Sequence, residues 1–96
     1  MQLPASVTMA EAAAVHQQVQ AALAANAAAA FEVDAAGLRN FDTSALAVLL
    51  EAHRGARARG WHFVIQAPPP KLQQLASLYG VAELLGLPNT GGPAPA

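Results

Sequence analysis

Apolar residues recur along this chain with two different periods, and the changes of period mark out its elements. Ala12, Val15, Val19, Ala22 and Leu23 share one face of a 3.6-residue repeat, with Glu11, Gln17, Gln18 and Gln20 mostly elsewhere around it. That spacing predicts an amphipathic helix running to about Ala25. Thr8-Met9-Ala10-Glu11 has the form of a capping box, in which a threonine oxygen accepts the amide three residues on and the glutamate reaches back. The helix is therefore expected to start at Met9, and Asn26, which tolerates left-handed backbone, is its expected end. The helical repeat returns from Ser44 to about Arg59, where Ala45, Leu46, Val48, Leu49, Leu50, Ala52, His53 and Ala56 form one broad arc. Ala47, Glu51, Arg54, Gly55 and Ala58 fall opposite, and Gly60, following Arg57 and Arg59, is the expected stop.

Between these helices the period drops to two. Phe31 and Val33 alternate with Glu32 and Asp34, predicting a strand of about five residues within Ala28 to Asp34, ended by the loop Ala35-Ala36-Gly37. Trp61-His62-Phe63-Val64-Ile65-Gln66 is the clearest strand, rich in aromatic and β-branched residues and closed by Pro68-Pro69-Pro70. Leu3 to Val7, with Pro4 interrupting it, predicts a short edge strand. One proline can form the first turn of a third helix carried by Leu72, Leu75, Ala76 and Tyr79, ending at Gly80. Val81 to Leu85 predicts a further helical turn before Gly86. Residues 1–87 are thus expected to form a single domain and residues 88–96, poor in large apolar side chains, a flexible tail. Strand, helix, strand, helix, strand, helix, helix is the order of an α/β fold: a small, mainly parallel sheet backed by about four helices.

Composition narrows the picture. The chain has 96 residues, 54 % of them apolar, but much of that is alanine and only five are aromatic, so the core is expected to be tight and alanine-lined. A net charge of −1 with five basic residues excludes the phosphate-neutralising surface that nucleic acid requires. The absence of cysteine removes disulfides, thiolate catalysis and cysteine-ligated metals. No apolar run approaches the roughly 20 residues that span a bilayer and no secretory signal opens the chain, so a cytoplasmic protein without direct membrane insertion is expected.

Catalytic chemistry finds little to work with. His16, His53 and His62 are scattered without metal-ligand spacing, and neither type of phosphate-cradling glycine loop is present, so no enzyme, metal or cofactor is expected. His53, on the apolar arc, is expected to be partly buried with one hydrogen-bond partner, and Trp61 to be a core or interface anchor. Arg54, Arg57 and Arg59 suit a solvated face answering the helix dipole, with a small anion site as the other reading. The junction Asp42-Thr43-Ser44 holds more. One such residue suffices to cap a helix, yet three stand in succession before a helix with little other polar chemistry. Thr43 or Ser44 would then be presented at a helix amino terminus, where a phosphate or a partner's polar groups meet exposed amides.

A strand, then Asp42-Thr43-Ser44-Ala45-Leu46-Ala47-Val48-Leu49-Leu50, then Gly60 and an aromatic strand, resembles the STAS domain of anti-sigma factor antagonists. The resemblance covers nearly all of Leu3 to Leu87. It is closest to the MlaB-type branch through Leu75-Ala76-Ser77-Leu78-Tyr79-Gly80-Val81 and through the threonine that directly follows the loop aspartate. It implies a STAS-like sheet whose usual first strand is missing, leaving an edge open or covered by another molecule, with a homodimer as one outcome. It also implies a non-catalytic subunit that binds and supports the ATPase of a phospholipid-transporting, lipid-asymmetry ABC complex, held peripherally at the inner membrane through that complex. The docking surface would comprise Asn40, Phe41, Asp42, Thr43, Ser44 and Ala45 with Ala47, Glu51, Arg54 and Ala58 of the following helix. The alternative within the resemblance is an anti-sigma factor antagonist switched by an anti-sigma factor kinase at Ser44, with Thr43 as a second candidate phosphoacceptor. Ala45 stands where that motif commonly has glycine.

Overall fold

The computed structural model describes residues 1–26 and 28–87. Its elements run β1 (Ser6–Val7), α1 (Ala12–Ala25), β2 (Ala30–Asp34), β3 (Asn40–Phe41), α2 (Thr43–Ala58), β4 (His62–Gln66) and α3 (Pro70–Leu78). The α/β character expected from the alternating periods is present, with all strand pairs parallel.

Two parallel pairs make up the sheet. β2 and β4 are in register from Ala30↔His62 to Asp34↔Gln66, and β1 and β3 pair as Ser6↔Asn40 and Val7↔Phe41. The first residues of the chain join them. Asp34 N–H donates to Met1 O at 2.7 Å and Leu3 N–H to Asp34 O at 2.9 Å, whereas Arg39 and Asn40 both donate to Ala5 O, at 2.8 and 2.9 Å. Pro4 sits where the partner changes, and its missing N–H suits a residue that leaves one ladder before entering the next. The expected edge strand over Leu3 to Val7 is thereby corrected: regular strand is confined to Ser6–Val7, and the segment pairs with β2 at its start and β3 at its end. β3, two residues long, has no counterpart among the sequence expectations.

The β2–β4 register places Phe31, Val33, Phe63 and Ile65 on one face and Glu32, Val64 and Gln66 on the other. Phe31 and Val33 are buried in the same core as Val15, Val19 and Leu23 of α1 and Leu46, Val48, Leu49, Ala52 and Ala56 of α2, so those helices cover that face. Glu32, Val64 and Gln66 on the opposite face are exposed. The core is alanine-lined as expected: Ala35, Ala45, Ala52, Ala56, Ala76 and Ala82 are all buried in it.

Several boundaries differ from expectation for local reasons. α1 starts at Ala12 rather than Met9, because Thr8 to Glu11 closes as a separate turn, with Glu11 N–H donating to Thr8 O at 3.0 Å. The capping-box partners do meet, but Thr8 Oγ1 accepts from Ala10, two residues on, at 3.3 Å. Asn26 is extended (φ −74°, ψ 126°) rather than left-handed, and its amide donates to Ala28 O and Ala30 O at 3.1 and 3.3 Å, tying the end of α1 to the start of β2. Gly60 has the positive φ expected of a helix stop, 75°. The described residues hold three helices rather than about four: Val81 to Leu85 closes only as turns, with Leu85 N–H on Val81 O, before Gly86 reverses the backbone at φ 74°. The flexible tail expected over residues 88–96 lies outside the described residues.

Gly55 also departs from expectation. The helical wheel put it on the outer face of α2, yet it faces α1, where an added Cβ would stand 2.5 Å from Leu23 Cδ1. Leu23 is fully buried, so making room for that Cβ would require its side-chain end to shift within a packed core. Gly55→Ala should therefore destabilise the protein, since overpacking costs about 1–3 kcal/mol against a helix-propensity gain of about 1 kcal/mol. In a Leu23→Ala background, itself costing about 2–5 kcal/mol, the same substitution should instead stabilise by partly filling the cavity. Urea unfolding of the four proteins in this double-mutant cycle measures the reversal; an unchanged sign would show that the helices do not meet there.

Candidate functional site

The site expected at the strand-to-helix junction begins with a cap. Asp42 is extended (φ −130°, ψ −162°) and one carboxylate oxygen accepts Ser44 N–H at 2.8 Å, satisfying an amide that the first turn of α2 leaves free. The other oxygen accepts Met9 N–H at 3.2 Å. A single side chain thus ties the start of α2 to the turn that leads into α1. Beside it, Ser6 and Thr8 hydroxyls bond the Glu11 carboxylate, and Asn40 Nδ2 reaches Ser6 Oγ at 3.4 Å.

These contacts set the local electrostatics. The Ser44 amide, helped by the Ser44 hydroxyl and Met9 N–H, holds the Asp42 carboxyl below its ordinary range against the opposing effect of desolvation. The Ser6 hydroxyl, then Thr8 N–H and the Thr8 hydroxyl, do the same for Glu11, opposed by desolvation and by the negative charge of Asp42. Both carboxylates are engaged in holding backbone and hydroxyl donors.

Thr43 is left over. It is exposed at the first position of α2, and its hydroxyl has no hydrogen-bond partner among the described residues. Together with Leu46, Ala47, Leu50, Tyr79 and Val81 it lines a mostly apolar groove of about 280 Å³ between α2 and the end of α3. Ala47 also lines a second hollow on its other flank, with Ala12, Ala13, His16, Ser44, Val48 and Glu51. Asn40, Asp42, Thr43, Ala47, Arg54 and Ala58 are exposed, and Phe41, Ser44 and Glu51 are partly so. Ala45 is corrected: it is 1 % exposed, packed in the core, and offers a partner nothing. Glu51 and Arg54 form an ion pair at 3.3 Å on the surface, which orients both side chains but stabilises little.

Sequence reasoning missed the other wall of the groove. Tyr79, 58 % exposed, lines it with Val81, although the helical repeat places Tyr79 on the buried stripe of the third helix; Leu78 and Leu84 are exposed nearby. A signal existed: Leu75, Ala76, Leu78 and Tyr79 are more apolar positions than one buried stripe of a nine-residue helix can use. The remaining candidates separate. His53 is half-buried with its ring edge-on to Phe63 at 5.5 Å in place of the expected hydrogen bond, and burial, then Arg57, lowers its pKa. Arg59 donates to Gly55 O at 3.0 Å and lies 5.7 Å from the Trp61 ring, while Arg54 pairs with Glu51, so the three arginines do not converge on an anion site. Among the described residues no group of three His, Cys, Asp or Glu side chains is placed to hold a metal.

The depressed carboxyls make a signed prediction. A carboxyl with a folded pKa below its unfolded value adds stability that is complete above the unfolded pKa and is lost as pH falls through the folded one. Asp42→Asn keeps a capping oxygen but loses the charge, so it should unfold at a lower temperature than the wild type near pH 7, and the difference should vanish by about pH 2. Thermal unfolding across that range is the measurement; a difference that persists into acid would separate the cap from the charge of Asp42.

The model of one protein family, described as Mlab, STAS domain, matches residues 1–86. No curated protein matches the chain. Among the described residues, no helix is long and apolar enough to cross a membrane. With its parallel strand pairs, its helices and the Asp42-Thr43-Ser44 turn in their expected order, the chain belongs to the MlaB-type STAS domain family.

Proposed function

We propose that this protein is a non-catalytic STAS subunit whose α2 outer face docks on the ATPase of a phospholipid-transporting ABC complex. The observation that carries the reading is Thr43: an exposed hydroxyl with no partner among the described residues, at the head of a helix and at the mouth of an apolar groove. Asp42 satisfies the helix start without it, so Thr43 is free to contact another protein. Around it, Ala47 permits close approach of a partner backbone, Leu50 and Tyr79 offer apolar area, and the Glu51–Arg54 pair supplies orienting charge. Family membership and the threonine in this position support the ATPase as the partner.

The reading as an anti-sigma factor antagonist phosphorylated at Ser44 has weaker support. Ser44 is half-buried, its amide and hydroxyl both serve Asp42, and a phosphate there would carry nearly two negative charges against that carboxylate. Thr43 is the more accessible of the two hydroxyls.

Co-purification with the ATPase of a phospholipid-transporting ABC complex from the same organism tests the proposal. Thr43→Glu and Ala47→Glu should each weaken capture by about tenfold or more, as expected for the centre of an interface, whereas Lys71→Glu at the start of α3 should not. Capture that is undiminished by both α2 substitutions would refute this docking face. Intact-mass measurement after incubation with anti-sigma factor kinases tests the alternative, which requires one added phosphate, lost in Ser44→Ala.

A further inference from the structure

The exposed edge of β4 presents backbone that nothing in the described chain pairs. His62 N–H donates to Ala29 O at 3.0 Å and Ala35 N–H donates to Gln66 O at 2.9 Å, so the backbone groups of His62, Val64 and Gln66 face β2. In a parallel ladder the intervening residues face the other way. The N–H and C=O groups of Phe63 and Ile65 therefore point outward, where no strand lies alongside among the described residues. Two of the usual devices that blunt such an edge are missing, since no charged residue occurs from Gly60 to Pro70 and no proline interrupts His62 to Gln66; the turn of Glu83, Leu84 and Gly86 stands beside its start across a hollow, and Val64 is 41 % exposed.

We infer that this edge pairs with a second copy of the same chain, antiparallel about a two-fold axis at Val64. Self-complementarity selects that occupant. Placing Val64 opposite Val64 puts Phe63 opposite Ile65 of the other copy as a hydrogen-bonded pair, and all four outward groups of each strand edge are satisfied by four bonds across the axis. The facing side chains match as well. Phe63 with Ile65 is an aromatic and β-branched pair, Val64 meets itself, and His62 donates to the Gln66 amide oxygen of the other copy, with no like charges opposed. Within the strand itself no charged side chain is available to pair with a charged partner strand. The chain's own residues after Leu87 are poorer partners, because Pro88, Pro93 and Pro95 have no N–H to donate. Val64 stands on the sheet face opposite the helices, and the pairing is argued from the β4 edge alone, independently of the function proposed for α2.

Cysteine cross-linking of the full chain provides a register-specific test, because the protein has no native cysteine. Val64→Cys should form a disulfide-linked dimer under mild oxidation, as residues directly opposite on a non-hydrogen-bonded pair lie about 4.5–5.5 Å apart at Cβ. Gln66→Cys, opposite His62 and remote from its own copy, should cross-link at least about tenfold more slowly. In analytical ultracentrifugation the wild type should rise with concentration from 9.8 kDa towards twice that mass. Val64→Lys, which opposes two ammonium groups at the axis on an exposed position, should stay monomeric with unchanged circular dichroism. A wild type that remains monomeric, equal cross-linking at both cysteines, or a dimer that survives Val64→Lys would each overturn the inference. Thr43→Glu should leave the mass profile unaltered, which separates this edge from the α2 face.

Discussion

The structure depends on how closely α1 and α2 approach. With few large apolar side chains to fill space, the chain has to close distances instead, and it does so where Gly55 admits Leu23 and where Ala52 and Ala56 face the core. That approach brings the two helix starts near enough for one carboxylate, Asp42, to hold an amide of α2 and one of the turn before α1. It also turns the same side of α2 inward along its length, so that Thr43, Ala47 and Arg54 are left together on the outside. The geometry of the candidate interface is thus a by-product of an alanine-rich core.

The division of labour within Asp42-Thr43-Ser44 follows from helix geometry. The residue at the cap and the residue two further on are consumed in satisfying the helix start, and the one between them projects away. Three oxygen-bearing side chains in succession look redundant until their directions are known. Two are structural, and only the middle one has its hydroxyl unengaged among the described residues.

Much of this was legible in the sequence because periodicity reports burial directly. The 3.6-residue repeats of α1 and α2 located their buried stripes, and Phe31 with Val33 identified the buried face of β2. What escaped was set by contacts distant in sequence. Gly55 carries no side chain to weigh on a wheel, and its direction follows from where Leu23 comes to lie. β3 is two residues long, too short for any alternation, and exists because Ser6 and Val7 run beside it. Ala45 lay on the predicted apolar arc and was drawn into the docking surface only by its place in the motif, and the arc was the better guide. Tyr79 matched the helical repeat equally well whether it faced the core or the groove.

The seam at Pro4 has a consequence for the order of folding. The segment Met1 to Val7 meets Asp34 and Asn40, each separated from its partner by roughly thirty residues, so both pairings require a long loop to be closed before any contact rewards it. The β2–β4 pairing spans a similar separation, but the first seven residues pair on two sides and so need both β2 and β3 in place. In kinetic terms the topology leads us to expect a late latch, whose weakening would speed unfolding more than it slows folding.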